Sequence, residues 1–258
     1  GAPWVPTGLT SDYARRHGTI GRMRLLLIRH GESANNRLQV DTGSGAGRVP
    51  DPDLTELGAR QADRLAAAFA SGRLPRPRVL LASPMRRAVA TAGALGAALD
   101  LPVTVDTDLF EVNGVYLGEY RGHQTVGTPH PGSPASALRL LSPRLELPAD
   151  VDESGWYRRP FETPADAWAR AVAVVADLRR RADGTDDLVA VVCHEWIIQY
   201  LLRALCDWPP EPDGSLPVWI EANNTGHVLV GPGAVPDNRM IVRWVNRLDP
   251  LAADEITT

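Results

Sequence analysis

Short, continuous runs of apolar residues recur along the chain, and each run stops at a polar residue or a glycine. Runs of this kind are typical of strands that are covered on both faces of a sheet. The clearest of them, within residues 23–31, ends in Arg29-His30-Gly31. The pattern predicts further strands over residues 79–83, 103–105, 188–193, 218–221, 225–230 and 240–245.

Helical periodicity fills the intervals between these runs. Thr55 is a candidate N-cap, and the stripe from Leu57 to Phe69 has the spacing of an amphipathic helix. A helix is also expected to begin at Gly31, directly after the first strand. Further helices are predicted over residues 84–99, 163–181 and 194–206. Strands that alternate with helices indicate an α/β fold, a three-layer sandwich with a mostly parallel central sheet and helices on both faces.

Composition divides the chain into one main domain and less regular segments. We expect a flexible N-terminal arm over residues 1–22, an α/β domain over residues 23–248 and a C-terminal tail over residues 249–258. Residues 114–160 are rich in Gly, Pro and Ser and lack a clear period, so they are predicted to form a cap or substrate-binding insertion. The glycine-rich segment 43–47 neither follows a strand nor opens a helix and is interpreted as a mobile linker.

Charge and residue usage exclude several classes of protein. The 258 residues carry a net charge of −4, which gives no sign of the basic surface that a general nucleic-acid binder needs. All 27 basic residues are Arg, and the absence of Lys excludes a P-loop lysine and every lysine Schiff base. Any phosphate that the protein binds must therefore be held by Arg, His or backbone N–H groups.

Cysteine usage and hydropathy bear on where the protein works. The two cysteines, Cys193 and Cys206, are too few for a disulfide framework. No run of about 18 apolar residues predicts a membrane span, and the start of the chain lacks the basic and then apolar pattern of a signal peptide. We therefore expect a cytoplasmic protein with no membrane partner. The sequence leaves the oligomeric state open, with a homodimer as one option.

Residues with catalytic chemistry follow several of the predicted strands. In a parallel sheet the carboxyl ends of the strands meet at one edge, where such folds place their sites. His30 and His194 each follow a buried strand, Arg29 precedes the first histidine, and Arg86 and Arg87 follow another strand. A guanidinium group near the centre of a sheet is costly unless an anion binds there. The pattern therefore indicates a phosphate-sized anion site.

Several segments form an ordered set of motifs. They are Arg29-His30-Gly31-Glu32-Ser33 with Asn36, Leu54–Gly58 with Gln61 and Ala62, Ser83–Ala88 with Thr91 and Ala92, Leu109 with Glu111, Glu162-Thr163 with Asp166 and Arg170, and Val191–His194. This set resembles the histidine phosphatase superfamily, the phosphoglycerate-mutase-like proteins. The resemblance covers most of residues 24–230, and it implies an α/β fold and a phosphohistidine chemistry.

The resemblance implies a phosphoryl-binding role for most of the matching residues. His30 would be the nucleophile that takes the phosphoryl group onto its ring. Arg29, Arg87 and His194 would hold the phosphoryl oxygens and spread the charge of the transition state. Asn36 would add a neutral hydrogen-bond donor at the pocket.

The resemblance also implies a catalytic acid, and the sequence departs from the family pattern in two places. Glu111 would protonate the leaving oxygen and later take a proton from water. No metal or other cofactor is expected, because fixed guanidinium charge takes the place of a metal ion. Glu195 stands where the family commonly has Gly after the second histidine. The region from Gly114 to Arg159 matches no mutase pattern. Within it, the cluster Trp156–Arg159 is expected either to recognise the substrate or to pack as a loop with exposed arginines.

The sequence thus predicts a metal-independent phosphatase that hydrolyses the phosphomonoester of a small metabolite through a phosphohistidine intermediate. Two alternatives stay open. A cofactor-dependent phosphoglycerate-type mutase would return the phosphoryl group to a bound intermediate, and a non-catalytic module would only bind the phosphoryl group. The missing mutase-like insert favours hydrolysis over the mutase. The intact set of His30, Arg29, Arg87 and His194 favours an enzyme over the module, since a binding module need not keep a nucleophile with an acid opposite it.

Overall fold

A mixed sheet of seven strands forms the centre of the computed structural model, which describes residues 23–121, 124–182, 185–233 and 240–258. The expected N-terminal arm, residues 1–22, lies outside the described residues. The strands of this sheet are β1 (Arg24–Arg29), β2 (Val79–Ala82), β3 (Val103–Val105), β6 (Leu145–Glu146), β7 (Leu188–Cys193), β8 (His227–Pro232) and β9 (Met240–Arg247). A separate hairpin consists of β4 (Tyr116–Arg121) and β5 (Gln124–Pro129). In spatial order the central sheet is β6-β3-β2-β7-β1-β8-β9, with β8 and β9 antiparallel to their neighbours and the other pairs parallel. The mostly parallel sheet is therefore confirmed.

The helices cover both faces of the central sheet. The helices of the described residues are α1 (Ala34–Thr42), α2 (Glu56–Ala70), α3 (Arg86–Leu99), α4 (Ala135–Arg139), α5 (Pro164–Arg181) and α6 (Glu195–Leu205). Successive residues of β1 point to opposite faces of the sheet. Leu26 and Ile28 join the core under α2 and α3, whereas Leu25 and Leu27 join the core under α5 and α6. Burial on both faces explains why β1 is an unbroken apolar run.

The helix that follows β1 begins later than the sequence predicts, at Ala34 and not at Gly31. The backbone N–H of Gly31 donates to the Thr91 hydroxyl (3.1 Å), and that of Glu32 donates to the Gln61 side chain (2.7 Å). These bonds to α3 and α2 hold the chain extended for the first residues after the strand. Helix α1 then starts at the Ser33 N-cap, so its N-terminus does not lie at His30.

The strand predicted over residues 218–221 is wrong. Residues 218–221 are irregular, and their backbone groups bond to a side chain on α6. The N–H of Ile220 donates to the Gln199 side chain (2.9 Å), whose amide donates back to the Ile220 carbonyl (2.6 Å). The buried Gln199 amide thus supplies the backbone hydrogen bonds that a neighbouring strand would otherwise make to Ile220.

Residues 114–160 are more closely joined to the main fold than a separate cap would be. Strand β6 pairs with β3 and forms one edge of the central sheet. Leu138, Val151 and Trp156 are buried in the same hydrophobic core as β1 and α3. Within this segment, the β4–β5 hairpin is the part that forms its own sheet. The weak period of the segment reflects short elements, since α4 has five residues and β6 two.

None of the helices in the described ranges has the length and apolar content that a membrane crossing needs.

Two glycines allow the loop after β1 to pass directly over the start of α2. A Cβ atom on Gly31 would overlap the Gly58 carbonyl, and one on Gly58 would overlap the Glu32 carbonyl. We expect Gly58→Ala to lower the free energy of unfolding by about 1–3 kcal/mol, because neither backbone can move away without disturbing the loop. Gly231→Ala is the control, since its methyl group would meet the Arg24 side chain at an ordinary 3.7 Å. Urea unfolding of both variants measures the difference, and equal midpoints would contradict the close approach.

Candidate active site

The backbone of His30 is fixed at the carboxyl end of β1. Its N–H donates to the carbonyl of Cys193 at the end of β7 (3.0 Å). Its carbonyl accepts from the Asn224 side chain (3.1 Å), which belongs to the loop before β8. The histidine therefore stands where two parallel strands end side by side, as the order of the motifs predicts.

Hydrogen bonds define which ring nitrogen of His30 carries the proton. Nδ1 lies 2.6 Å from the Gly31 carbonyl, which can only accept, so Nδ1 is the protonated nitrogen. Nε2 lies 3.0 Å from Nε of Arg87, which can only donate, so Nε2 carries the lone pair. Burial, together with the charges of Arg87 and Arg29, holds the pKa of His30 well below its usual range. The ring is therefore neutral at pH 7, with Nε2 as its nucleophilic atom.

Two buried arginines supply positive charge around this ring. Arg87 lies in the first turn of α3, and burial lowers its pKa to about 10, so it stays protonated at pH 7. Arg29 donates through Nη1 to the Ala222 carbonyl (2.6 Å), and its Nη2 lies 3.1 Å from a carboxylate oxygen of Glu195. Glu195, which stands where the family commonly has Gly, therefore forms an ion pair with Arg29, one of the arginines predicted to bind the phosphoryl group.

His194 lies next to His30 but deeper in the protein. It is the N-cap of α6, and its ring centre is 5.0 Å from that of His30. Nε2 of His194 lies 2.7 Å from the Ser83 hydroxyl, whereas its buried Nδ1 has no hydrogen-bond partner among the described residues. Burial is also the largest cause that lowers the pKa of His194. Two neutral rings therefore lie side by side, and one of them is fully enclosed.

The carboxylate of Glu111 is held at the N-terminus of α6. Oε1 accepts from the N–H groups of Val112 (2.9 Å) and Ile197 (3.0 Å), and Oε2 accepts from the N–H of Trp196 (3.2 Å). Burial raises the pKa of Glu111, and the Arg87 charge and these hydrogen bonds oppose the rise. Oε2 has the single, longer bond, so it is the oxygen better placed to carry a proton.

A cavity of about 540 Å³ opens beside His30. Of the residues predicted for the site, Arg29, Asn36, Arg87 and Glu111 line it together with His30. The Oδ1 atom of Asn36 accepts from Ser33, which leaves the amide N–H₂ as the group that can donate into the cavity. His194 does not form part of the wall. Cavities of this size commonly hold a small organic molecule.

The cluster Trp156–Arg159 does not line the cavity, so the interpretation as a substrate-recognition element is not supported. Trp156 and Tyr157 are buried and pack against Phe110. Arg158 and Arg159 pair with the carboxylates of Asp152 (2.6 Å) and Asp108 (2.7 Å). The alternative, a packed segment with exposed arginines, describes what the structure contains.

Residues that the sequence analysis missed support the site from outside. Asp51 accepts from the Arg86 N–H (3.0 Å) and the Ser133 hydroxyl (2.8 Å), and its charge acts on Arg87. The Asn224 side chain also accepts from the Thr257 hydroxyl (3.0 Å), so the C-terminal tail is tied to the residue that holds the His30 carbonyl. No sequence signal separated these residues from other polar loop residues.

The described residues contain no group of three His, Cys, Asp or Glu side chains that could hold a metal ion. The expectation that the reaction needs no metal or other cofactor stays a prediction.

Comparison with known proteins agrees with the geometry. Residues 25–230 match the model of the histidine phosphatase superfamily (branch 1). The chain is 30% identical over 238 residues to the glucosyl-3-phosphoglycerate phosphatase of Mycolicibacterium vanbaalenii, an alignment that covers 88% of this chain and 92% of the relative.

Solved structures show the same fold. The native structure of a mycobacterial glucosyl-3-phosphoglycerate phosphatase is 26% identical, with a TM-score of 0.55 over 87% of this chain and 98% of that one. A phosphoserine phosphatase of Entamoeba histolytica in complex with phosphoserine is 18% identical, with a TM-score of 0.55 over 89% of this chain and 100% of that one. The predicted fold and the resemblance are thus confirmed, and the chain belongs to the histidine phosphatase superfamily, branch 1.

Proposed function

We propose that this protein is a phosphatase that hydrolyses the phosphomonoester of a small metabolite through a phosphohistidine at His30. The observation that carries the proposal is the neutral ring of His30, whose Nε2 lone pair is fixed between Arg87 and the cavity. The nucleophile His30, the guanidinium groups of Arg29 and Arg87 and the carboxyl group of Glu111 all line one cavity. This is the set that phosphoryl transfer without a metal needs.

In the first step, Nε2 of His30 attacks phosphorus and the ester P–O bond breaks. The N–H of Arg87 that points at Nε2 moves to a phosphoryl oxygen, and Arg29 and Asn36 donate to the others. The ring gains positive charge as the N–P bond forms. The bond from Nδ1–H to the Gly31 carbonyl stabilises that charge. The leaving oxygen takes its proton from Glu111.

In the second step, water replaces the leaving alcohol. Glu111, now a carboxylate, accepts a proton from the water, whose oxygen attacks phosphorus as the N–P bond breaks. Inorganic phosphate and neutral His30 are regenerated, so atoms and charge balance over the cycle. His194 lies 5.0 Å from His30 between ring centres, and its role in this scheme is to stabilise the phosphoryl charge from the buried side.

Glu195 sets a condition on substrate binding. Its carboxylate occupies one amino group of Arg29 (3.1 Å), and its other oxygen accepts from the Trp219 ring N–H (3.3 Å). A phosphoryl group that binds the same amino group of Arg29 must share or displace this carboxylate, whereas the buried Nε of Arg29 has no partner among the described residues and stays available. The bond to Trp219 gives Glu195 a partner that it can keep when the phosphoryl group arrives.

The named relatives favour hydrolysis over the mutase and over a binding module, since each is called a phosphatase. The test is a panel of small phosphomonoesters in EDTA, with free phosphate as the product that is measured. We expect phosphate release that EDTA does not reduce. Loss of turnover with EDTA that Mg²⁺ or Zn²⁺ restores would contradict the scheme. Isomerisation of 3-phosphoglycerate only when bisphosphoglycerate is added would favour the mutase, and binding without turnover would favour the module.

The cytoplasmic location and the lack of nucleic-acid partners stay predictions, and the oligomeric state stays open, with a homodimer as one option.

A further inference from the structure

Arg48 belongs to the same cavity as His30, although it follows the glycine-rich segment interpreted as a mobile linker. The segment is tied to α1 next to this arginine. The side chain of Asn35 donates to the Val49 carbonyl (2.8 Å) and accepts from the Val49 N–H (3.1 Å). The Arg48 N–H donates to the Gly45 carbonyl (3.2 Å), and its Cδ lies close to Gly45. The glycines therefore allow a tight turn that presents Arg48 to the cavity.

The charge of Arg48 is uncompensated. Within the described ranges, no carboxylate lies at ion-pair distance from its guanidinium group. Arg29 of the cavity wall is paired with Glu195, and Arg86, which does not line the cavity, is paired with Asp53 (2.6 Å). Within the same described ranges, Arg87 also has no carboxylate at ion-pair distance, and its Nε donates to His30. Arg48 is also close enough to Arg87 for its charge to lower the pKa of that residue. Two guanidinium groups thus repel each other across the cavity, which favours an anion that bridges them.

We propose that Arg48 binds a carboxylate of the substrate, so that the enzyme prefers phosphomonoesters that also carry a carboxylate. The inference rests on the proposed function and names the substrate class of the same site. With Arg29 and Arg87 engaged by the phosphoryl group, Arg48 is the remaining cation in the described wall of the cavity. Its planar fork matches a carboxylate in two parallel hydrogen bonds.

Two further observations fit a substrate with a second anionic group. The cavity of about 540 Å³ has room for a metabolite skeleton beyond the phosphoryl group. The relative that is 30% identical is named for glucosyl-3-phosphoglycerate, which carries a carboxylate and a phosphate ester on the same glycerate unit.

The test compares two substrates that differ in the carboxylate, 3-phosphoglycerate and glycerol 3-phosphate. We expect the wild type to prefer 3-phosphoglycerate in kcat/KM. Arg48→Gln should reduce that preference about 10- to 100-fold, mainly through KM, as expected for the loss of a charge-assisted contact between the guanidinium group and the carboxylate. Arg37→Gln is the matched control, because Arg37 is exposed on α1, pairs with Asp41 (2.9 Å) and does not line the cavity. It should keep the wild-type preference.

An unchanged preference in Arg48→Gln would overturn the proposal, and this includes an equal loss of kcat/KM on both substrates. A second phosphate is the other anion that Arg48 could bind. If Arg48→Gln instead reduces a preference for fructose 1,6-bisphosphate over fructose 6-phosphate and spares 3-phosphoglycerate, the assignment to a carboxylate is wrong.

Failure of the proposed function would be distinguishable from failure of the Arg48 proposal, since the wild type would then release no phosphate even from p-nitrophenyl phosphate.

Calorimetric titration of His30→Ala tests Arg48 without turnover. This variant should bind 3-phosphoglycerate at least about 10-fold more tightly than glycerol 3-phosphate, and the further change Arg48→Gln should remove the difference. Equal affinities in His30→Ala would overturn the inference.

Discussion

Replacing His30 by alanine is expected to lower kcat by roughly 10⁴-fold or more on every phosphomonoester, as removal of the nucleophile does in other covalent mechanisms. Among the described residues, His30 presents the histidine nitrogen that faces the cavity, whereas His194 is fully buried behind it. No second imidazole in that part of the chain can therefore attack a bound substrate. Phosphate release under saturating substrate measures the effect.

A matched control separates this effect from a general loss of structure. His130→Ala removes a histidine that does not line the cavity, and it should leave kcat within a few-fold of the wild type. The thermal midpoint of His30→Ala should stay close to that of the wild type. Turnover by a folded His30→Ala variant at more than about one hundredth of the wild-type rate would assign the nucleophile elsewhere.

Glu111→Gln is expected to slow hydrolysis of alkyl phosphates by about 10²- to 10⁴-fold, the range for loss of general acid catalysis. Glutamine keeps the shape of the side chain and can still accept the N–H groups of Val112 and Ile197 through one oxygen. It cannot donate an acid proton to the leaving oxygen. p-Nitrophenyl phosphate has a leaving group that needs little protonation, so its hydrolysis should fall much less. The ratio of kcat/KM for the two substrates is the measurement.

The pH profile gives this prediction a second readout. Because burial raises the pKa of Glu111, its carboxyl stays protonated to a higher pH than an exposed Glu. The value of kcat/KM for alkyl phosphates should fall as pH rises through that pKa, and Glu111→Gln should lack this decline. Among the described residues, Glu195 is the other acidic side chain that lines the cavity. If Glu195→Gln, and not Glu111→Gln, affects alkyl phosphates selectively, Glu195 is the acid.

The sequence predicts the centre of the fold because the apolar runs that indicate strands there are also the segments that tertiary packing buries. Strands β1 and β7 are buried on both faces, so their apolar runs are unbroken, and the residues that follow them reach the edge where the site forms. His30, Arg29 and the pair Arg86 and Arg87 could be placed at one edge of the sheet on this ground, whereas the choice of Arg87 came from the family resemblance. The error at Gly31 has a tertiary cause, since the bonds that delay α1 come from Thr91 and Gln61, which are distant along the chain.

The parts that the sequence could not predict depend on contacts without a local pattern. Arg48 follows glycines that look like a linker, and only the bonds between Asn35 and Val49 show that the segment is held against α1. Trp156 and Tyr157 lie in a segment with weak periodicity, yet they belong to the main core. Glu111 was predicted as the acid, but its attachment to the N-terminus of α6 depends on the packing of a loop against a helix more than 80 residues away.

Identification of the phosphorylated residue during turnover tests the central proposal most directly. A nitrogen–phosphorus bond breaks in acid and survives base, so the enzyme is mixed with labelled phosphomonoester, quenched rapidly in base and digested. We expect label on the peptide that contains Ile28-Arg29-His30-Gly31 and none in His30→Ala. With p-nitrophenyl phosphate as the substrate, Glu111→Gln should retain more label than the wild type. Label on the peptide that contains His194, or turnover of the wild type with label on neither histidine, would contradict it.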